Sequence, residues 1–151
     1  MEDSVRPRDI DLLGYLRLGE ASAMDVFETC AALLGLLAAA LALNVSRLRR
    51  RKKVSLGDGG DLQLLAAIRA FGNFMEFVPF CLVLIAMLED HYGFRTIATL
   101  SVGLLAGRVL HAGGMLGLFK PGRVGGSVLT VVVLVAASGL LLAAKLHLYG
   151  R

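Results

Sequence analysis

A cation, an amide and an anion share one face of a segment that is otherwise apolar. Arg69, Asn73 and Glu76 are spaced four and then three residues apart, and in a helix this spacing places them on the same side. Charged side chains at membrane depth cost about 2.5–3.5 kcal/mol each on insertion scales, so they are rare and face a bundle interior or a water-filled cavity. The pattern therefore predicts an internal polar site.

The chain as a whole is too hydrophobic for a soluble domain. Of its 151 residues, 56% are hydrophobic, and the mean hydropathy is +0.71, whereas soluble domains contain about 45–50% apolar residues. Several apolar runs approach the ~20 residues that a helix needs to cross the hydrocarbon layer. We therefore predict an all-α membrane protein with a bundle of four transmembrane helices, because a lone strand cannot satisfy its backbone polar groups in lipid.

The four predicted spans form one membrane domain over residues 25–148, preceded by an N-terminal extension over residues 1–24. In the extension, Leu12, Leu13, Leu16 and Leu18 are compatible with a short interfacial helix or with a frayed tail. Asp61 is the predicted N-cap of the second span, and Pro79 is expected to kink that span. The spans cover residues 25–46, 62–88, 94–116 and 124–148.

A basic cluster, Arg47–Lys53, directly follows the first span. Such a cluster is typical of a topology anchor on the cytoplasmic side, and it favours contact with anionic membrane lipids over nucleic acid. Lys120 and Arg123 then share that side, and the acidic loop at residues 89–93 lies opposite. Four spans place both termini on the non-cytoplasmic side. Because the composition, rich in Ala, Leu and Arg, favours a bacterial source, we expect a multi-pass protein of the bacterial inner membrane.

This topology brings every notable polar residue of the spans and their ends to the cytoplasmic half. Arginine forks suit carboxylates, and an asparagine adds donors and an acceptor, so we predict a cationic pocket for a small anion. The cysteines and histidines show no spacing typical of a metal site. The residues concerned are Arg47, Arg69, Asn73, Glu76, Arg108, His111 and Arg123.

A structural interpretation of the same residues stays open. Glu76 can neutralise Arg69 or Arg108, because a buried charge without a partner is very costly. Arg47 can be part of the topology anchor alone, and Arg123 can be a snorkelling residue at the interface. His111 can be a satisfied polar residue rather than a catalytic group. Both kinds of role can also coexist.

The stretch from Arg69 to Pro79, R-A-F-G-N-F-M-E-F-V-P, resembles the MAPEG family, the membrane-associated proteins of eicosanoid and glutathione metabolism. The preceding L-G-D-G-G-D, the later G-R-V-L-H and Arg123 at the start of the fourth span also match. The resemblance covers about residues 25–148 and is to the small bacterial branch. It implies a homotrimer of four-helix protomers, with glutathione bound between neighbouring protomers near the cytoplasmic side.

The resemblance also implies roles for the seven polar residues. Six of them would bind glutathione: Arg47, Arg69, Asn73, Glu76, Arg108 and His111. Arg123 would be the catalytic residue, because it is the remaining candidate to stabilise a thiolate. The implied activity is that of a glutathione transferase or peroxidase acting on lipophilic small molecules dissolved in the bilayer.

Several residues depart from the family pattern. Phe71 stands where the family commonly has His, and Met115 and Val124 stand where the prostaglandin synthase pattern has Tyr and Ser. Around Ser127, too, that pattern has a Tyr. The three apolar departures favour an alternative function, in which a non-catalytic membrane protein keeps the fold and its polar cluster for packing while it binds lipid or a partner.

Overall fold

The computed structural model describes residues 22–119 and 121–149, and within them the chain forms four long α-helices. Each helix is long and apolar enough to cross a membrane, which confirms the predicted all-α bundle of four spans. Most of the predicted N-terminal extension, including Leu12, Leu13, Leu16 and Leu18, lies outside the described residues, as does Lys120. The helices are α1 (Ala23–Lys52), α2 (Leu62–Met87), α3 (Phe94–Met115) and α4 (Gly122–Tyr149).

The first helix has well-defined ends. The Ser22 hydroxyl accepts a hydrogen bond from the Asp25 amide (3.1 Å), and the Asp25 carboxylate accepts one from the Ser22 amide (2.7 Å), which together form a capping box. The helix ends at Lys52, and the capping residue that follows it, Lys53, has a left-handed φ of 55°. It therefore runs six residues beyond the predicted end at Ser46 and includes most of the basic cluster.

The connection from α1 to α2 is held by side chains at both helix ends. Arg49 donates to the carbonyl oxygens of Ser55 (3.2 Å) and Gly57 (2.8 Å). Lys52 forms an ion pair with Asp61, and Asp61 caps α2 by accepting from the Leu64 amide at 2.8 Å. The N-cap prediction for Asp61 is confirmed. We call this end of the bundle, where α1 ends and α2 begins, the basic end.

The helices pack with α2 and α3 in the middle of the arrangement. Helix α1 packs on α2 and α3, and α4 packs on α3 and α2, whereas α1 and α4 make no contact over the described residues. Leu34, Phe74, Ile85 and Leu104 belong to one buried core that the helices share. Helix α2 continues through Pro79 without interruption. The orientation of the basic end toward the cytoplasm stays a prediction.

Glycines bring α3 and α4 into backbone contact. A Cβ on Gly126 would lie 2.5 Å from the Gly107 carbonyl oxygen and closer still to the His111 amide nitrogen. Without water to drive association, helices in lipid depend on small residues that let their backbones approach. We call the four residues at this approach the glycine seam; they are Gly107, Gly114, Gly122 and Gly126.

The opposite end is joined by the short loop between α2 and α3. The Tyr92 hydroxyl donates to the Leu140 carbonyl oxygen at 3.0 Å. Nearby, Lys145 Nζ lies 3.3 Å from His91 Nε2. Both contacts tie the loop to α4, so the glycine seam at the basic end and these contacts together fix α4 along most of its length.

Candidate functional site

An open groove of about 550 Å³ lies at the basic end between α2, α3 and α4. Helix α2 contributes its polar face because Arg69, Asn73 and Glu76 have helical spacing. The end of α3 and the start of α4 reach the same groove because the glycine seam holds them together. The lining residues are Ile68, Arg69, Gly72, Asn73, Glu76, His111, Met115, Arg123 and Ser127.

Five of the seven predicted site residues therefore line one groove, and its charged members are accessible. Arg69, Glu76 and Arg123 are exposed, whereas Asn73 is half-buried and His111 is buried. Over the described residues the only ion pair is that between Lys52 and Asp61. Glu76 therefore forms no ion pair with Arg69 or Arg108, which was one of the structural roles considered for it.

Arg108, the sixth predicted residue, lies behind the groove wall with 1% of its surface exposed. One terminal nitrogen, Nη2, lies 2.9 Å from Asn73 Oδ1 and 2.9 Å from His111 Nδ1. The other, Nη1, is 3.4 Å from the Thr130 hydroxyl oxygen. The guanidinium carbon sits 5.7 Å from the centroid of the Phe74 ring, within cation–π range. Arg108 therefore joins all three helices that form the groove.

A small cavity of about 40 Å³ lies beside this buried arginine, between α2, α3 and α4. Asn73 and Ser127 line both the cavity and the groove, so the two spaces adjoin. The Arg108 Nε atom is buried and has no hydrogen-bond partner among the described residues. A polar cavity of this size can hold a water molecule. The cavity is lined by Asn73, Phe77, Arg108, Ser127, Thr130 and Val131.

Arg47, the seventh predicted residue, does not line this groove. It lies exposed near the end of α1, and α1 does not touch α4. A second cavity of about 460 Å³ opens at the same end between α1, α2 and the end of α3. Sequence reasoning missed this cavity and its amides, Asn44 and Gln63, although polar amides near the ends of two spans were a usable signal.

The three apolar departures from the family pattern occupy different places. Met115 lines the groove, where it reduces the number of polar groups available to a ligand. Phe71 instead packs against the shared core, and Val124 is 68% exposed on α4. Thr130, which sequence reasoning also missed, approaches Arg108 from α4. The only indication of Thr130 in the sequence is that a small residue with a hydroxyl group interrupts an apolar span.

Comparisons with known proteins agree with this architecture. The family model of the MAPEG family matches residues 27–143, a region that contains all seven predicted site residues. The inner membrane protein YecN of Escherichia coli strain K12 is 39% identical over 83 residues. That match covers 54% of this chain and 63% of YecN, and YecN of Escherichia coli O6:H1 gives the same values. The chain thus matches less than two thirds of the length of these curated relatives.

Proposed function

Since this chain belongs to the MAPEG family and is a multi-pass protein of the bacterial inner membrane, we propose that it binds glutathione in the groove at the basic end. We further propose that it uses glutathione as a transferase or peroxidase on lipophilic electrophiles. The observation that carries the proposal is the groove itself, in which exposed charges of both signs face one space without pairing to each other. Because these charges do not pair with each other, they are available to oppositely charged groups of a ligand.

The chemistry of the groove is complementary to that of glutathione, which has two carboxylates, one ammonium and a thiol. Arg69 and Arg123 offer guanidinium forks that suit carboxylates and a thiolate. Glu76 offers a carboxylate for the ammonium, and Asn73 and His111 add polar groups in the groove wall. Arg69, Asn73, Glu76 and His111 are thus the proposed binding residues of this protomer, and Arg108 supports them from behind.

Arg123 is the proposed catalytic residue. It is the second residue of α4, so the positive end of the helix dipole and its own guanidinium act at the same place. Both favour the thiolate over the thiol, and the thiolate is the nucleophile. In a transferase reaction the thiolate would form a carbon–sulfur bond as the leaving group departs with its electron pair. In a peroxidase reaction two glutathione molecules would become a disulfide while a hydroperoxide becomes an alcohol and water.

We also propose that the protein works as a homotrimer. The groove is open in a single protomer, and Arg69, Glu76 and Arg123 are exposed there. Arg47 lies outside the groove of its own protomer, so a neighbouring copy would have to supply it. Chemical cross-linking in native membranes tests this assembly: a ladder that ends at three chains is expected, and a ladder that ends at one or two would contradict it.

The binding proposal is tested by the thermal stability of the detergent-purified protein with and without millimolar glutathione. A ligand that binds only the folded state stabilises it by about 2.7 kcal/mol at one hundred times its dissociation constant. We expect a raised melting temperature in the wild type, and a much smaller rise in Arg69→Gln and Arg123→Gln. Arg95→Gln is the matched control, because Arg95 is exposed at the opposite end of the bundle.

A second candidate function is supported by Met115, which places a thioether in the groove wall where a catalytic site would gain from a polar group. In that case the protein would bind lipid or a partner and would catalyse no reaction. Conjugation of a chromogenic aryl halide and reduction of a lipid hydroperoxide separate the two functions. Absence of any stabilisation at saturating glutathione would contradict both glutathione binding and the enzymatic proposal.

A further inference from the structure

The guanidinium of Arg108 determines which polar atoms its neighbours present to the groove. An arginine side chain carries five N–H donors and no acceptor, and it stays protonated in proteins. Every polar atom in hydrogen-bond contact with it must therefore act as an acceptor. Two of these neighbours, Asn73 and His111, also line the groove. The atoms that accept from Arg108 are used by that contact, so only the remaining polar atoms of each side chain are available to a ligand.

For Asn73 the consequence is the orientation of its amide. The Oδ1 atom lies 2.9 Å from Arg108 Nη2 and accepts from it. A flipped amide would oppose two donors, which is unfavourable. The NH₂ group is then the part of Asn73 that remains for the groove, and it carries two donors and no acceptor.

For His111 the consequence is the tautomer of the imidazole ring. Its Nδ1 atom lies 2.9 Å from the same Arg108 nitrogen, and it can accept only when it carries no proton. The ring proton must then reside on Nε2, which leaves a single N–H donor for the groove. A doubly protonated ring would place two donors against each other, so the contact also keeps the ring neutral.

We propose that Arg108 is a positioning residue that restricts this part of the groove wall to hydrogen-bond donors, and thereby selects ligand groups that accept, namely carboxylates, a thiolate or peptide carbonyls. With 1% of its surface exposed, Arg108 acts through Asn73 and His111 and does not touch the ligand itself. The identity of the ligand rests on the proposed function, whereas the donor character of Asn73 and His111 in the groove wall rests on their hydrogen bonds to Arg108 alone.

The geometry also explains why an arginine suits this position. Asn73, His111 and Thr130 come from three different helices, and a planar guanidinium can reach acceptors in several directions at once. A lysine ammonium also has three donors, but it concentrates them on one atom and lacks the two-nitrogen fork that reaches these acceptors. The described residues place no carboxylate in an ion pair with Arg108, so its charge is not neutralised locally and also favours an anionic ligand.

The first test measures the His111 tautomer by ¹⁵N NMR of histidine-labelled protein, with the signal assigned by its loss in His111→Gln. In the wild type we expect a neutral ring that is protonated at Nε2 only. Arg108→Lys should give a mixture of tautomers. Ser101→Ala is the control: it removes a buried hydroxyl from the same helix that bonds only to the Ile97 carbonyl oxygen, and it should leave the signal unchanged.

The second test exchanges the donor for an acceptor without removing the contact to Arg108. Asn73→Asp keeps an oxygen for the guanidinium, so the variant should fold and be at least as stable as the wild type. Its groove-facing atom becomes an acceptor, and the dissociation constant for glutathione should rise about tenfold or more, the effect expected for loss of a hydrogen bond to a charged group. Gln63→Glu controls for the added charge, because Gln63 lies on α2 outside the groove.

The outcomes separate this inference from the proposed function. A wild-type His111 protonated at Nδ1, or Asn73→Asp that binds glutathione as tightly as the wild type, would overturn the positioning role. If glutathione does not stabilise the wild type, the proposed function fails. The His111 tautomer still decides whether Arg108 determines which polar atoms face the groove. If Arg108→Lys does not fold, the wild-type tautomer and Asn73→Asp decide it instead.

Discussion

Replacing Gly126 with alanine tests how closely α3 and α4 approach beneath the groove. The added Cβ would lie 2.5 Å from the Gly107 carbonyl oxygen, about 0.9 Å short of the 3.4 Å at which ordinary contact begins. The His111 amide nitrogen is nearer still. Both neighbours are backbone atoms, so no side chain can turn away, and the two helices must separate.

The expected cost follows from this overlap. Overpacking that forces backbone shifts costs about 1–3 kcal/mol, and occasionally more. The intrinsic preference for alanine over glycine in a helix opposes it by about 0.8–1.0 kcal/mol. Gly125→Ala is the matched control. A Cβ on Gly125 would meet nothing within 4 Å, and the helical preference for alanine over glycine is the same at both positions. The difference between the two variants therefore isolates the overlap and should be about 1–3 kcal/mol.

The measurement is unfolding in mixed micelles with increasing SDS, followed by circular dichroism, for wild type and both variants. Gly125→Ala should match the wild type or exceed it, and Gly126→Ala should unfold at a lower SDS fraction. Because the overlap lies at the His111 backbone, Gly126→Ala should also weaken the stabilisation by glutathione. Equal stability of the two variants would refute the close approach of α3 and α4.

Three further predictions concern other contacts. The hydrogen bond from Lys52 holds the pKa of the Asp61 carboxyl below its usual range. The stabilisation of the folded state by the Asp61 carboxylate is therefore complete above the unfolded pKa of about 3.9, and it is lost as the pH falls through the lower folded value. In SDS unfolding, wild type and Asp61→Ala should differ in stability at neutral pH and converge in acid. Tyr92→Phe removes the bond to the Leu140 carbonyl oxygen and should lower the free energy of unfolding by about 0.5–1.5 kcal/mol in the same assay. Glu76→Gln should leave stability without glutathione unchanged but reduce the rise in melting temperature with glutathione, and a large loss of stability without ligand would indicate a structural role.

The helices were largely predictable because hydropathy and capping act locally. Asp61 was predicted as an N-cap and is one, since a cap depends only on the residues that follow it. Hydropathy predicts the end of α1 at Ser46, but the helix runs to Lys52. Hydropathy marks where the apolar part of a helix ends, whereas arginine and lysine are good helix formers and carry the helix onward.

The groove was partly predictable for a related reason. Helical spacing fixed the polar face of α2, and the order of the spans brought the end of α3 and the start of α4 to the same end of the bundle. The neighbours of Arg108 could not be derived in this way. Whether it meets Glu76 or meets Asn73 and His111 depends on the rotation of α3 about its axis and on the close approach of α4, which the glycine seam determines.

The placement of opposite charges favours ligand binding over a purely structural polar cluster. A structural cluster would be expected to pair its carboxylate with its buried arginine, because an uncompensated buried charge is costly. Here the arginine is buried against neutral acceptors while Glu76 stays exposed in the groove beside Arg69 and Arg123. Such an arrangement leaves both signs of charge accessible to one ligand, and a zwitterionic molecule with more than one carboxylate is the kind of ligand that we propose for it.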